Sequence, residues 1–241
     1  MEIHGFSKTT LLDYPGHVAA TVFTGNCNFR CPFCHNAGLV LDPGGQEVIS
    51  EEEVLTYLKK RQGILEGICI TGGEPTLQPD LRNFIKKVKE LGYLVKLDTN
   101  GYIPEVLWEL LDEKMLDYVA MDIKASRENY GRAAGVKRLD LVRIEESVGI
   151  LKSCDIPYEF RTTVVKGIHN IEEFETIGRW LEGCCAYYLQ AFRENDNMIS
   201  LCETDSTEKL GRFSAFSKAE MESMAEMARK YIDKVELRGV E

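Results

Sequence analysis

The chain has 241 residues, 44% of them hydrophobic and 28% charged, the makeup of a globular protein long enough to bury a sizeable core. Its formal net charge of −10 argues against a general nucleic-acid-binding surface, and no stretch reaches the ~18 apolar residues of a membrane span. Eight cysteines, with no apolar signal core in MEIHGFSKTT, lead us to expect a reducing, cytoplasmic setting and not a disulfide scaffold.

In chain order, residues 1–17 read as turn-rich, with Asp13-Tyr-Pro-Gly16 a tight turn. Val18–Phe23 is a compact β-type run that stops at Thr24-Gly25. Ser50 and Glu53 form a capping box for a helix to about Gln62. Gly67–Thr71 is a buried strand that ends at Gly72-Gly-Glu-Pro75. Leu81, Phe84, Ile85, Val88 and Leu91 make one apolar helical face, and Lys86, Lys87 and Lys89 a solvated one. Tyr93–Asp98 is the third strand, Pro104 opens a helix, and Asp117–Ile123 is the fourth strand. A polar stretch over 125–140 precedes a helix at about 143–153. Tyr158–Val165 is the fifth strand, Asn170 and Glu173 start a helix, and Ala186–Phe192 is the sixth strand. After a polar loop, Ser217 and Glu220 cap a last helix carrying Met221 and Met224, before a short strand at Val235–Leu237.

Six strand–helix units without repeat or linker predict one domain over 1–241, with a core of about 18–192 and an appended helix and strand at 217–238. Six units fall short of the eight of a closed barrel, so the expected fold is α/β, a partial (β/α)6 barrel of the TIM type. Ligand sites in such sheets lie at the carboxyl ends of the strands. Polar residues collect there: the cysteines after the first strand, Gly72–Pro75 after the second, Asp98-Thr99-Asn100 after the third, Asp122 and Lys124 after the fourth, and Gln190 on the sixth.

Cys27, Cys31 and Cys34 form C-x3-C-x2-C, three thiols within eight residues that suit a soft metal, whether zinc, copper(I) or an iron–sulfur cluster. Structural zinc closes its tetrahedron with a second close-spaced pair, and Cys69, Cys154, Cys184, Cys185 and Cys202 supply none apart from the adjacent 184/185. Four cysteines hold a cubane cluster, so three would leave one iron open to an external ligand. Cys69 and Cys154 read as buried thiols or as incidental.

With CHN after the third thiol and G-G-E-P beyond, the chain resembles radical S-adenosylmethionine enzymes. Within them it is similar to glycyl radical enzyme activating proteins, above all the activators of anaerobic ribonucleoside-triphosphate reductase. The likeness runs through Asp13–Gly16, Cys27–Asn36, Gly72–Pro75, Leu97-Asp-Thr-Asn-Gly101, Met121-Asp-Ile-Lys124 and Arg161. It implies one 4Fe–4S cluster on Cys27, Cys31 and Cys34, with S-adenosylmethionine chelating the fourth iron. Reductive cleavage then yields methionine and a 5′-deoxyadenosyl radical that takes a hydrogen from a glycine of the partner enzyme. It also implies cosubstrate contacts from Phe33, His35, Gly72, Gly73, Glu74, Asp98, Asp122, Ile123, Lys124, Arg161 and Gln190. Phe33 and His35 belong near the adenine, Gly73 near the methionyl amine, and Lys124 and Arg161 near a carboxylate. A monovalent cation shared by Asp98 and Asp122 and an electron donor, flavodoxin or ferredoxin, complete the expectation, with no membrane or nucleic-acid partner.

Two departures stand out. Leu189-Gln-Ala-Phe192 replaces the histidine that the pyruvate formate-lyase activator has on the sixth strand, and no cysteine-rich insertion for auxiliary clusters follows the first. The alternatives are an enzyme acting on a small molecule, as 7-carboxy-7-deazaguanine synthases do, a pyruvate formate-lyase activator, and a non-enzymatic cysteine–metal module.

Overall fold

The computed structural model describes residues 1–194, 198–199 and 213–240. The chain divides into two compact units. One comprises Met1–Asn28, Gly38–Ala120 and Cys154–Pro157; the other comprises Phe29–Ala37, Met121–Ser153 and Tyr158–Glu241.

In the first unit lie β1 (Ile3–Thr10), β2 (Ala19–Thr24), β3 (Gly67–Gly72) and β4 (Leu94–Thr99), with α1 (Ala37–Leu41) from Gly38 onward and helices α2 (Glu51–Lys60), α3 (Leu81–Glu90) and α4 (Pro104–Asp112). Leu81, Phe84, Ile85 and Val88 turn inward from α3, as the apolar spacing requires. Ser50 accepts from the Glu53 N–H to start α2, and Pro104 occupies the first turn of α4, where its missing N–H costs nothing. Parallel pairing sets Ala19 opposite Gly67 and Thr24 opposite Gly72, so the loops after β2 and β3 leave the sheet at one level.

The strand β5 (Tyr118–Asp122) ends in the second unit, which also holds β6 (Tyr158–Val164), β7 (Tyr187–Ala191) and β8 (Val235–Arg238). Its helices are α5 (Tyr130–Ala134), α6 (Leu141–Lys152), α7 (Glu173–Trp180) and α8 (Lys218–Arg229). Both β6–β7 and β7–β8 are parallel. Asn170 Oδ1 accepts from the Glu173 N–H at 2.9 Å, and Ser217 with Glu220 forms a complete capping box on α8. Strand order in the sheet follows chain order, β1 to β8.

Two expectations need correcting. Residues 3–10 are a strand, antiparallel to β2, and the turn-rich segment is confined to residues 11–17. The strand's sequence, IHGFSKTT, lacks apolar alternation because its residues are mostly half-exposed, and Gly5 lies flat against the Phe23 ring. The polar stretch 125–140 also contains a short helix, α5, ended by Gly135 in the left-handed region. The loop expected between Phe192 and Ser217, with Cys202, falls largely outside the described residues. Among those described, no helix is long and apolar enough to cross a membrane.

Candidate active site

In the first unit, the start of the thiol loop is locked to the G-G-E-P turn by backbone. The Gly73 N–H donates to Thr24 O and the Glu74 N–H to Asn26 O, both at 2.8 Å, while Gln78 Nε2 donates to Gly25 O at 2.8 Å. A Cβ on Gly73 would sit 1.9 Å from Asn26 O, and one on Gly72, at φ +121°, 2.2 Å from Thr24 N. Both glycines are therefore required by the close approach of two loops.

Glu74 is buried and fully engaged. Its Oε1 accepts from Thr76 N, Thr76 Oγ1 and Thr99 Oγ1, and its Oε2 from Asn100 N at 2.7 Å. Burial pushes its pKa up, and the Thr76, Asn100 and Thr99 donors pull against that. The carboxylate thus ties the turn after β3 to the turn after β4. Asp98 pairs with the buried Lys96 two residues earlier on the same face of β4. Cys27 lies beside two amides: Asn100 Nδ2 is 3.9 Å from its Sγ and 2.7 Å from Asn28 Oδ1.

The second unit gathers Cys31, Cys34, Phe33, His35, Asp122, Ile123, Lys124, Arg161 and Gln190. Asp122 accepts from Lys124 Nζ at 2.9 Å and from the Arg161 guanidinium at 3.0 and 3.1 Å. Burial alone would push the Asp122 carboxyl up, but Lys124 and Arg161 overcome it and hold it at about 2. Lys124 is raised despite burial, by Asp122 and by the Cys31 sulfur. Burial raises the Cys34 thiol, while the Asn36 N–H and the charges of Lys124 and Arg30 favour its thiolate. Ile123 contributes backbone only, its N–H donating to Arg161 O at 2.7 Å and its carbonyl accepting from Thr162 Oγ1, so its side chain stays in the core. Gln190 is half-exposed opposite Thr163, and His35 leans on Phe192 at 5.4 Å between ring centroids. Burial lowers the His35 pKa.

Residues that sequence reasoning passed over complete both halves. His169 takes the Val165 N–H at Nδ1, which puts its own proton on Nε2, 2.8 Å from Lys124 O, and its ring lies 6.4 Å from Phe33. Lys96 was legible as a lysine two positions before Asp98 on one strand face; His169 and Asn28 carried no such signal.

The profile of the Radical SAM superfamily matches residues 21–181. This chain belongs to the radical SAM superfamily. A Methanocaldococcus jannaschii protein provisionally described as a glycyl-radical enzyme activating enzyme is 30% identical over 244 aligned residues, 99% of this chain and 96% of that one. A Saccharolobus islandicus protein provisionally described as GTP 3′,8-cyclase is 35% identical over 119 residues, 48% of this chain and 38% of its own. Streptococcus suis SuiB, with another structure bound to S-adenosylmethionine, superposes at a TM-score of 0.67 and 15% identity, over 91% of this chain and 48% of SuiB. The radical SAM fold, a partial α/β barrel, is thereby shared.

Family membership implies a 4Fe–4S cluster and S-adenosylmethionine. The residues present fit that pair. Cys27, Cys31 and Cys34 are thiols outside any disulfide, the donor type such clusters take. Among the described residues, no three His, Cys, Asp or Glu side chains are grouped to hold a single metal ion. The Nδ2 of Asn28, next to Cys27, is buried without a hydrogen-bond partner, a donor matched to an acceptor such as sulfide.

Proposed function

We propose that this radical SAM enzyme is an activase that installs a glycyl radical on a partner, anaerobic ribonucleoside-triphosphate reductase. The observation carrying this is the end-to-end relationship to the Methanocaldococcus protein, joined to the C-x3-C-x2-C-H-N loop and the Asp122–Lys124–Arg161 cluster. In this reading Cys27, Cys31 and Cys34 hold the cluster. When bound, cluster and cosubstrate together supply a single electron and a carbon-centred radical able to abstract hydrogen.

The chain's own residues bind and orient. Lys124, whose charge acts on the Cys31 and Cys34 sulfurs, offsets the negative charge of thiolate ligands, and with Arg161 it offers donors to a carboxylate. Asp122 keeps both cations in place, and His169 fixes the Lys124 carbonyl and packs on Phe33. Glu74 holds the two glycine-containing turns together. Asp98 is balanced by Lys96, and Asp122 by Lys124 and Arg161, so charge balance does not call for a shared monovalent cation. A flavodoxin or ferredoxin would deliver the electron in the cytoplasm.

To test this, the reduced, reconstituted protein is incubated anaerobically with S-adenosylmethionine and the reductase. A glycyl-radical EPR doublet is expected. Formation of 5′-deoxyadenosine with no protein radical would favour the second reading, a small-molecule substrate, which the half-chain likeness to the Saccharolobus protein supports.

A further inference from the structure

We infer that Asn28, oriented by Asn100, donates a hydrogen bond from Nδ2 to a sulfur of the cluster and raises its reduction potential. The inference rests on the cluster reading proposed above and assigns that site a residue beyond its thiol ligands. Asn28 follows Cys27 directly. Its amide orientation is determined by its neighbours. Asn100 Oδ1 accepts from the Tyr102 N–H at 2.9 Å, so Asn100 must present Nδ2 on its other side. That Nδ2 meets Asn28 at 2.7 Å, where only the oxygen of Asn28 is an acceptable partner.

Turned this way, Asn28 Nδ2 is buried and has no hydrogen-bond partner. Buried amide donors are nearly always paired in folded proteins, and an exception calls for an explanation. The same amide lies against the first thiol: the Cys27 S–H points at Asn28 Oδ1, with Sγ and Oδ1 3.8 Å apart. An amide this close to Cys27 borders the group that the thiol holds, and a sulfur of that group supplies the acceptor that Nδ2 lacks. Cluster sulfur accepts N–H groups. Since the reduced cluster carries one more negative charge than the oxidised one, such a bond stabilises the reduced state preferentially. Asn100 Nδ2, 3.9 Å from Cys27 Sγ, is placed to act in the same sense on the thiolate.

The test is an EPR-monitored redox titration of the full chain, anaerobically reconstituted, without S-adenosylmethionine. In Asn28→Ala, the ratio of reduced to oxidised cluster at a fixed potential should fall about tenfold, equal to about 59 mV for a one-electron couple. An unchanged midpoint with normal iron and sulfide content would overturn the inference. Should Asn28→Ala fail to hold a cluster, the wild-type protein labelled with 15N-asparagine decides. ENDOR on its reduced cluster should show a coupled 15N and an exchangeable proton, and their absence overturns the inference. A wild-type protein that takes up no 4Fe–4S cluster would instead sink the underlying reading.

Discussion

Asp122 sits between two cations, and its chemistry makes a pH prediction. With a pKa held near 2, below its ordinary 3.8, the carboxylate contributes stability that is fully present above about pH 4 and is lost as pH falls towards 2. The stability gap between wild type and Asp122→Asn in urea unfolding should therefore be widest above pH 4 and close on acidification. A gap independent of pH would show that the ion pairs contribute nothing. Replacing Cys27, Cys31 or Cys34 by Ala should abolish release of 5′-deoxyadenosine, whereas Cys184→Ala should not. Burial and the neighbouring Cys185 push the Cys184 thiol to about 12, which leaves it a protonated, inert group at neutral pH. Gly73→Ala must displace the backbone at Asn26, and overpacking of this kind costs about 1–3 kcal/mol, readable as a lower urea midpoint. Motif spacing singled out the thiols, strand-end position singled out Asp122 and Lys124, and only the resemblance singled out Arg161, which lies in the middle of β6. The role of Glu74 was not, since its partners, Thr76, Thr99 and Asn100, come together only once two strands are placed side by side.

Among the elements, α8 and β8 make independent tests. The capping box at Ser217 was written in the sequence as Ser-x-x-Glu, and Ser217→Ala should cost about 1 kcal/mol. Arg238 on β8 forms a forked pair with Glu159 on β6, at 2.6 and 2.7 Å, and stacks on the Tyr188 ring 3.4 Å from its centroid. The Glu159 side chain is 1% exposed. Arg238→Ala removes both forked bonds from that buried carboxylate and should cost about 3 kcal/mol, near the low end for a buried pair because the arginine is partly exposed. Adding Glu159→Leu should recover part of the loss. Nothing local in the sequence announces this pair, because 79 positions separate its members. β1 was illegible for the opposite reason. An antiparallel strand of mostly half-exposed residues obtains its order from the β2 ladder, not from its own apolar pattern.

At the scale of the whole molecule, period-two and period-3.6 patterns were enough to place seven of the eight strands among the described residues, and the partial-barrel expectation agrees with the SuiB superposition. Chain-order strands make every βα loop a candidate ligand loop. What the chain acts upon is a different matter, since a fold hosts many chemistries and the substrate is chosen by surfaces that motif spacing does not encode.

The most direct test of the activase reading is isotopic. The reductase is prepared with glycine deuterated at Cα and mixed anaerobically with the reduced, reconstituted protein and unlabelled S-adenosylmethionine, and the 5′-deoxyadenosine is analysed by mass spectrometry. Deuterium in the 5′-deoxyadenosine, in step with the growth of a glycyl radical, is the predicted result. 5′-Deoxyadenosine formed in full amount without deuterium would contradict the account.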